Sequence, residues 1–325
     1  MDYYLKDAGV KGACEFSRLL ASTKSDVVLN IEGARNYSPF PFLLTAKSVK
    51  DYLAKEGSFQ IETDLEDAYD FANKIGFLKA TSLSKVAEED GEYFPITQID
   101  VRKRQREEEQ KGEYYDTGDM VEKISKEIAA RFTKGEEARL LAYLLREFIR
   151  NAPEHGKTHV VDLCLKADRE KRTVEFAVAD EGIGVMESLI SCYAHRQYIT
   201  ENALALRWAI KPGISASFSP AVGQKSRDVW ANSGFGLYMI SSICCALGGE
   251  FYLASQGDCL IKKGDEVEVV KASVKGTVAG GKIVLPEKLN AQATVDAARF
   301  AGEKEAKAIK NAFKEASVPS KTLLD

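Results

Sequence analysis

The sequence predicts an α/β protein: a small parallel sheet first, then a larger, mixed and largely antiparallel sheet with a helix pair on one side. Three observations predict it. Residues 10–76 alternate helical and strand-like runs, the order of a parallel sheet. Two apolar stripes at helical spacing follow, Val121, Ile124, Ile128 and Phe132, then Leu141, Leu144, Leu145, Phe148 and Ile149. From residue 160 to 285, short apolar runs alternate with polar or Gly-rich turns.

In order, residues 10–22 read as a short helix and 27–33 as a strand. Pro39 and Pro41 punctuate a loop before a helix over 42–49, and a second strand follows at 59–62. Asp64 is a plausible N-cap for a helix through Ala68, Phe71, Ala72 and Ile75, closed by Gly76. Residues 82–100 read as irregular, and the two-signed charge run 102–111 as a solvated linker or an exposed helix. Gly112 and Gly118 mark a boundary, Asp119 caps the first helix beyond it, and Gly135 separates that helix from the next. A hairpin is expected from 160–165 and 173–179 around the polar turn 168–172.

Residues 185–233 form a long insertion, helical at 186–193 and 200–210 and turn-rich over 211–220. Long loops of this kind are often functional lids, and Gln224, Lys225 and Arg227 could reach phosphates from one; His195 and Arg196 read as surface residues. An apolar helix over 237–247 ends at Gly248-Gly249. Strands follow at 251–254, 259–262, 266–271 and 278–285, with turns at 256–258, 263–265 and Gly280-Gly281. Residues 293–316, rich in Ala, Lys and Glu, read as a terminal helix. The domain plan is 1–82, a linker over 83–116, a main domain over 117–288 and a helical tail over 289–325.

The net charge of −4 argues against a general nucleic-acid binder, which needs a basic face. Six cysteines without metal-ligand spacing, mostly in apolar runs, fit buried reduced thiols in a cytoplasmic protein. Met1-Asp2-Tyr3-Tyr4 has no basic n-region, and no apolar run approaches the ~20 residues that span a membrane.

Three short boxes carry chemistry. Glu147 and Asn151 lie one helical turn apart, with His155 four residues further on. A carboxylate and an amide oxygen so stacked can hold a hydrated Mg²⁺ and orient a proton acceptor, although alone the stretch also fits a solvated face ending at Gly156. Asp180 ends an apolar strand and can accept the exocyclic amino group of adenine, while Gly182 and Gly184 allow close backbone approach. Gly234, Gly236 and Leu237 open an apolar helix whose N–H groups form an anion site for phosphates. Gly276-Thr277 precedes the final strand.

In this order the boxes resemble the GHKL (Bergerat-fold) ATPase family of gyrase, the heat-shock chaperone, MutL-type repair proteins and sensor histidine kinases. The resemblance covers residues 117–288. The first box, Glu147 to Asn151-Ala152 and His155-Gly156, is most similar to the anti-sigma-factor serine kinases. It implies a two-layer α/β sandwich that binds ATP and Mg²⁺, with Glu147 as catalytic base, Asn151 as metal ligand and Asp180 as adenine-binding carboxylate. Thr277 would support the adenine pocket, and a lid would fall between Gly184 and Gly234. Pro153 departs from the pattern, because proline inside a helix removes a hydrogen bond and kinks it.

Residues 25–80 are similar in part to the sulfate-transporter/anti-sigma-antagonist (STAS) domain, through Leu29-Asn30-Ile31-Glu32-Gly33 and the helix after it. Family members that are phosphorylated open that helix with Ser; here Pro39 and Phe40 take those places and Ser38 just precedes them. Two functions stay open. One is an ATPase or serine/threonine kinase of the anti-sigma-factor type; the other is an ATP-gated interaction module with slow or no turnover. Either implies a protein partner, with a homodimer also open, and neither needs a membrane or nucleic acid.

Overall fold

The computed structural model describes residues 2–4, 9–30, 38–55, 57–62, 66–83, 91–218 and 233–323. In the first sheet, β1 (Asp2–Tyr4), β2 (Val27–Asn30) and β3 (Phe59–Glu62) run parallel, with Tyr3 opposite Leu29 and Leu29 opposite Ile61. The crossovers contain α1 (Val10–Ser22) and α2 (Pro39–Leu53). Strand β1 is too short for its alternation to be read from sequence. Helix α2 begins at its prolines rather than after them: Ser38 is the N-cap, and Pro39 and Pro41 occupy the first turn. Backbone N–H groups there have no intrahelical acceptor, so proline costs little. Helices α3 (Glu66–Lys74) and α4 (Phe77–Ala80) flank Gly76. Residues 31–33, Asp64, Gln224, Lys225 and Arg227 lie outside the described residues.

The stretch expected to be irregular contains β4 (Tyr93–Asp100), an edge strand of the second sheet. A register shift between Phe94 and Thr97, spanning Pro95, hides its alternation, and proline is tolerated on an edge. The charge run is helical, α5 (Val101–Glu109), with Asp100 Oδ1 accepting from the Lys103 N–H at 3.0 Å. Helix α6 (Thr117–Phe132) is capped by Asp116, not Asp119, whose own N–H is the donor at 2.8 Å. Helix α7 (Gly135–Asn151) continues into a π-helical turn, Ala152–Gly156.

The hairpin β5 (Val160–Asp168) and β6 (Thr173–Asp180) follows as expected. Next come α8 (Val185–Ser191), α9 (Tyr193–Arg196), α10 (Asn202–Ala209) and α11 (Gly236–Ala246). The long strands β7 (Glu250–Lys263) and β8 (Glu266–Val284) complete an antiparallel sheet of order β4-β5-β6-β8-β7. The expected turn at 256–258 is a bulge inside β7. Gly280 and Gly281 are mid-strand rather than a turn: a Cβ on Gly280 would stand 2.7 Å from the Phe176 carbonyl oxygen, and one on Gly281 2.7 Å from Cys244 Sγ. These glycines bring α2 and α11 close to opposite faces of the sheet. Helices α12 (Ala291–Ala306) and α13 (Val318–Lys321) replace the single terminal helix.

The large sheet and the helices on one of its faces form the two-layer α/β sandwich, and the N-terminal segment covers the other face. One core joins Leu144 and Phe148 of α7 and Met239 of α11 to Phe176 and Phe251. On the opposite face, Phe40 and Leu44 of α2 and Ala13 of α1 pack over Ala177, Ala179, Ala254 and Val278. Short side chains in the strands admit the helices, so the N-terminal segment and the large sheet share a core. All six cysteines are free, and all but Cys245 are buried. Among the described residues no helix is long and apolar enough to cross a membrane.

His195 corrects the surface reading. It is 0% exposed, its Nε2 lies 3.0 Å from the Ser215 carbonyl oxygen, and its ring packs near Trp208 and Phe218. Those partners lie 13–23 residues downstream, beyond local sequence patterning. Burial lowers its pKa.

Candidate functional site

The site forms where α7, the π-helical turn, the end of β6 and the start of α11 converge. The strongly amphipathic α7 turns its apolar stripe into the core, which fixes Glu147 and Asn151 at its C-terminal end. Pro153 falls in the π-helical turn. Wider turns of this kind absorb a backbone that cannot keep the regular bond ladder. The turn keeps His155 and Gly156 beside Asn151 on the wall of one cavity.

That cavity is partly open to solvent and has a volume of about 80 Å³. Asn151, His155, Asp180, Gly184, Gly234, Leu237 and Thr277 all line it, among apolar walls that include Phe148, Val178, Leu189, Ile214 and Leu253. An apolar slot with a few convergent polar groups is the usual form of a small-molecule site. Gly182, the second residue of the turn after β6, is not among the cavity's lining residues, and neither are Glu147 and Gly236. A Cβ on Gly236 would lie 3.0 Å from Glu147 Oε2 and 3.8 Å from Asn151 Oδ1, so the first residue of α11 sits against both.

Asp180 is held from two directions. Its Oδ1 accepts from the Gly182 N–H at 2.7 Å, and Thr277, its cross-strand partner on β8, supplies a hydroxyl. Burial pushes its carboxyl up to about 6, opposed by the Gly182 N–H, the Lys47 charge and Thr277. Lys47 belongs to α2. Its ammonium lies 2.6 Å from Glu181 and 3.1 Å from Asp162, so the N-terminal segment delivers a buried positive charge that acts on Asp180.

Gly184 adopts φ +80°, and a Cβ there would also press on Ser255 Oγ at 2.9 Å. That hydroxyl accepts from the Val185 N–H and donates to the Gly276 carbonyl, while Asn202 of α10 binds the Ser255 carbonyl. Ser255 therefore ties three segments of the site together. Nothing in its local sequence marks it, because all its partners come from other elements.

Glu147 is only 3% exposed. Its Oε1 accepts from Arg146 at 3.0 and 3.2 Å and lies 3.9 Å from Arg150. Its Oε2 accepts from Ser320 at 3.3 Å. Arg146, Arg150 and Ser320 carry no sequence signal of this arrangement. Among the described residues, Asn151 Nδ2 and Arg150 Nη1 are buried without a hydrogen-bond partner. Buried donors of this kind need acceptors, and phosphate oxygens would supply them. Among the described residues no three His, Cys, Asp or Glu side chains cluster as a ready metal site.

Residues 136–276 match the family model described as "Histidine kinase-, DNA gyrase B-, and HSP90-like ATPase". That match supports the GHKL ATPase family for this segment. It supports ATP binding as well. The matched segment contains Glu147, Asn151, Asp180 and the opening of α11, and stops one residue before Thr277. No curated protein matches the chain.

Proposed function

We propose that this chain is an ATP-binding regulatory protein with Mg²⁺-dependent ATPase or serine/threonine protein kinase activity of the anti-sigma-factor type. The observation that carries the reading is the buried Asp180 carboxylate, fixed by Gly182 and Thr277 on a cavity that also holds Asn151. In this reading Asp180 accepts the adenine amino group, and Gly182 and Gly184 keep side chains away from the base. Gly234, Gly236 and Leu237 open α11, where the N–H groups of a helix N-terminus and the helix dipole favour phosphates.

Asn151 is the residue that would hold Mg²⁺, and its unpaired amide fits a site shared with phosphate oxygens. The ion would neutralise phosphate charge and keep most of its ligands as water and phosphate oxygens. Glu147 would take the proton of the attacking hydroxyl or water. The first box and the parallel N-terminal sheet support the anti-sigma-factor kinase type with an STAS-like segment. A regulated protein partner, homodimerisation and a cytoplasmic location belong to this proposal.

One observation favours a second reading, an ATP-gated switch with slow turnover. Both carboxylate oxygens of Glu147 are engaged, by Arg146 and by Ser320. Incubation of the purified chain with Mg²⁺ and γ-labelled ATP, with and without its neighbouring gene products, separates the readings. Label released as phosphate or moved to protein supports the enzyme. Bound ATP with neither outcome supports the switch. No ATP binding defeats both.

A further inference from the structure

The C-terminal segment 317–323 lies across α7 at the residue proposed as base. Tyr143 Oη donates to the Ser320 carbonyl at 3.0 Å, Arg146 donates to the Pro319 carbonyl, and Ser320 Oγ donates to Glu147 Oε2 at 3.3 Å. These α7 contacts span one helical turn, so they hold the segment in a single register. At its start, the Ser317 N–H donates to Ser233 Oγ at 2.8 Å, just before the Gly-rich opening of α11. Pro319, Ser320 and Leu323 are buried.

This is how an acceptor hydroxyl meets a general base: a serine Oγ within hydrogen-bond distance of a carboxylate oxygen. The same Oε2 faces Gly236, where the α11 N-terminus would cradle phosphate, and Gly236 also faces Asn151 Oδ1 on the cavity wall. Arg146 and Arg150 flank the carboxylate on its other side. Arg150 is 5% exposed, with Nη1 lacking a hydrogen-bond partner among the described residues. An unpaired guanidinium N–H suits a phosphoryl group carrying negative charge.

We infer that Ser320 is a phosphoacceptor presented in cis to Glu147, so that the chain phosphorylates its own C-terminal segment. The inference rests on the ATP reading above. In the step, Glu147 Oε2 takes the Ser320 hydroxyl proton as Ser320 Oγ bonds to the γ-phosphorus of ATP. The bond from that phosphorus to the oxygen bridging the β-phosphate breaks, and ADP leaves with the electron pair. The products are phosphoserine at 320, a protonated Glu147 and ADP. A phosphoserine carries about −1.5 to −2 charge at neutral pH; once Glu147 is again ionised, repulsion drives the segment off α7.

The test incubates the full chain with Mg²⁺ and γ-labelled ATP, maps phosphate by mass spectrometry, and measures ATP binding in parallel by calorimetry. Phosphate is expected on Ser320, with a rate per molecule unchanged over a roughly hundredfold dilution. Glu147→Gln, which keeps the side-chain size, should slow labelling at least about a hundredfold. Ser317→Ala should still be labelled on Ser320, and Ser320→Ala should lose the label. Three results overturn the proposal while leaving the ATP reading standing: ATP bound but Ser320 unmodified, undiminished labelling in Glu147→Gln, or a rate per molecule that rises with protein concentration. A chain that binds no ATP overturns both.

Discussion

Gly182 and Gly156 meet backbone to backbone: a Cβ on Gly182 would overlap the Gly156 carbonyl oxygen, which also accepts from the Ile183 N–H at 3.2 Å. The turn after β6 is thereby clamped onto the π-helical turn, and Asp180 and Asn151 are held on one cavity. Gly182→Ala must push backbone away from backbone, and overpacking of this kind costs about 1–3 kcal/mol. The variant should melt several degrees below wild type and bind ATP more weakly. A melting temperature and ATP affinity equal to wild type would show that the clamp does not matter.

Asp180 makes ATP binding pH-dependent. Its folded value of about 6 lies above the ordinary carboxylate value because of burial. The ionised form is the better acceptor for an amino group, so protons compete with adenine and affinity should fall as pH drops from 7 to 5. Stability of the nucleotide-free protein has the opposite sign. A raised folded pKa means that the folded state binds the proton more tightly, so this group adds stability as pH falls from 6 towards 4. Asp180→Asn should weaken ATP binding about tenfold or more, since a mispaired buried group costs roughly 1–3 kcal/mol, and should flatten the pH profile. Calorimetry at pH 5, 6 and 7 checks both, and an unchanged affinity in the variant would remove Asp180 from the adenine site.

Lys47 links the N-terminal segment to that behaviour. Burial works against its charge, but Asp162 and Glu181 outweigh it and raise the Lys47 pKa. Lys47 and Lys50 together pull Glu181 down to about 2. That depressed value stabilises the fold above pH 4.5, and the contribution is lost as pH falls towards 2. Lys47→Met should destabilise the protein by about 1–3 kcal/mol, because the largely buried Asp162 loses its ammonium partner while Glu181 keeps Lys50. Because the Lys47 charge also holds Asp180 down, the variant should move the pH midpoint of ATP binding upward. A midpoint that stays put would uncouple α2 from the cavity.

Most of the element order, and the lining residues Asn151, Asp180, Gly184, Gly234, Leu237 and Thr277, are legible in the sequence because each is marked locally. Asp180 ends an apolar run, glycines stand at the turns, and the Glu147–Asn151 spacing is one helical turn. What stayed hidden depends on distant partners or broken periodicity. Strand β4 was lost at Pro95 and its bulge, and Gly280-Gly281 read as a turn because the helices requiring those glycines come from elsewhere in the chain. His195 read as exposed because Ser215, Trp208 and Phe218 reach it only after folding. The contact between Ser320 and Glu147 joins residues 173 apart, and no local pattern could announce it.

Glu147 and Asn151 should separate turnover from binding. Glu147→Gln keeps the size of the side chain; its amide oxygen can still accept from Arg146 while its NH2 donates to Ser320 Oγ, which can accept, so the fold should persist. It cannot take a proton at neutral pH, and removing a general base typically costs about 10²–10⁴ in rate. The adenine and phosphates rest mainly on Asp180, the opening of α11 and Asn151 in the proposed site. ATP should therefore remain bound with turnover reduced by at least about a hundredfold. Asn151→Ala removes the amide that would hold Mg²⁺ and should weaken Mg²⁺-dependent binding as well as turnover. Calorimetry with and without Mg²⁺, alongside release of labelled phosphate, reads both variants. If both leave turnover intact, the chemistry is not at this site; if wild type binds ATP yet never turns it over, the chain is a switch.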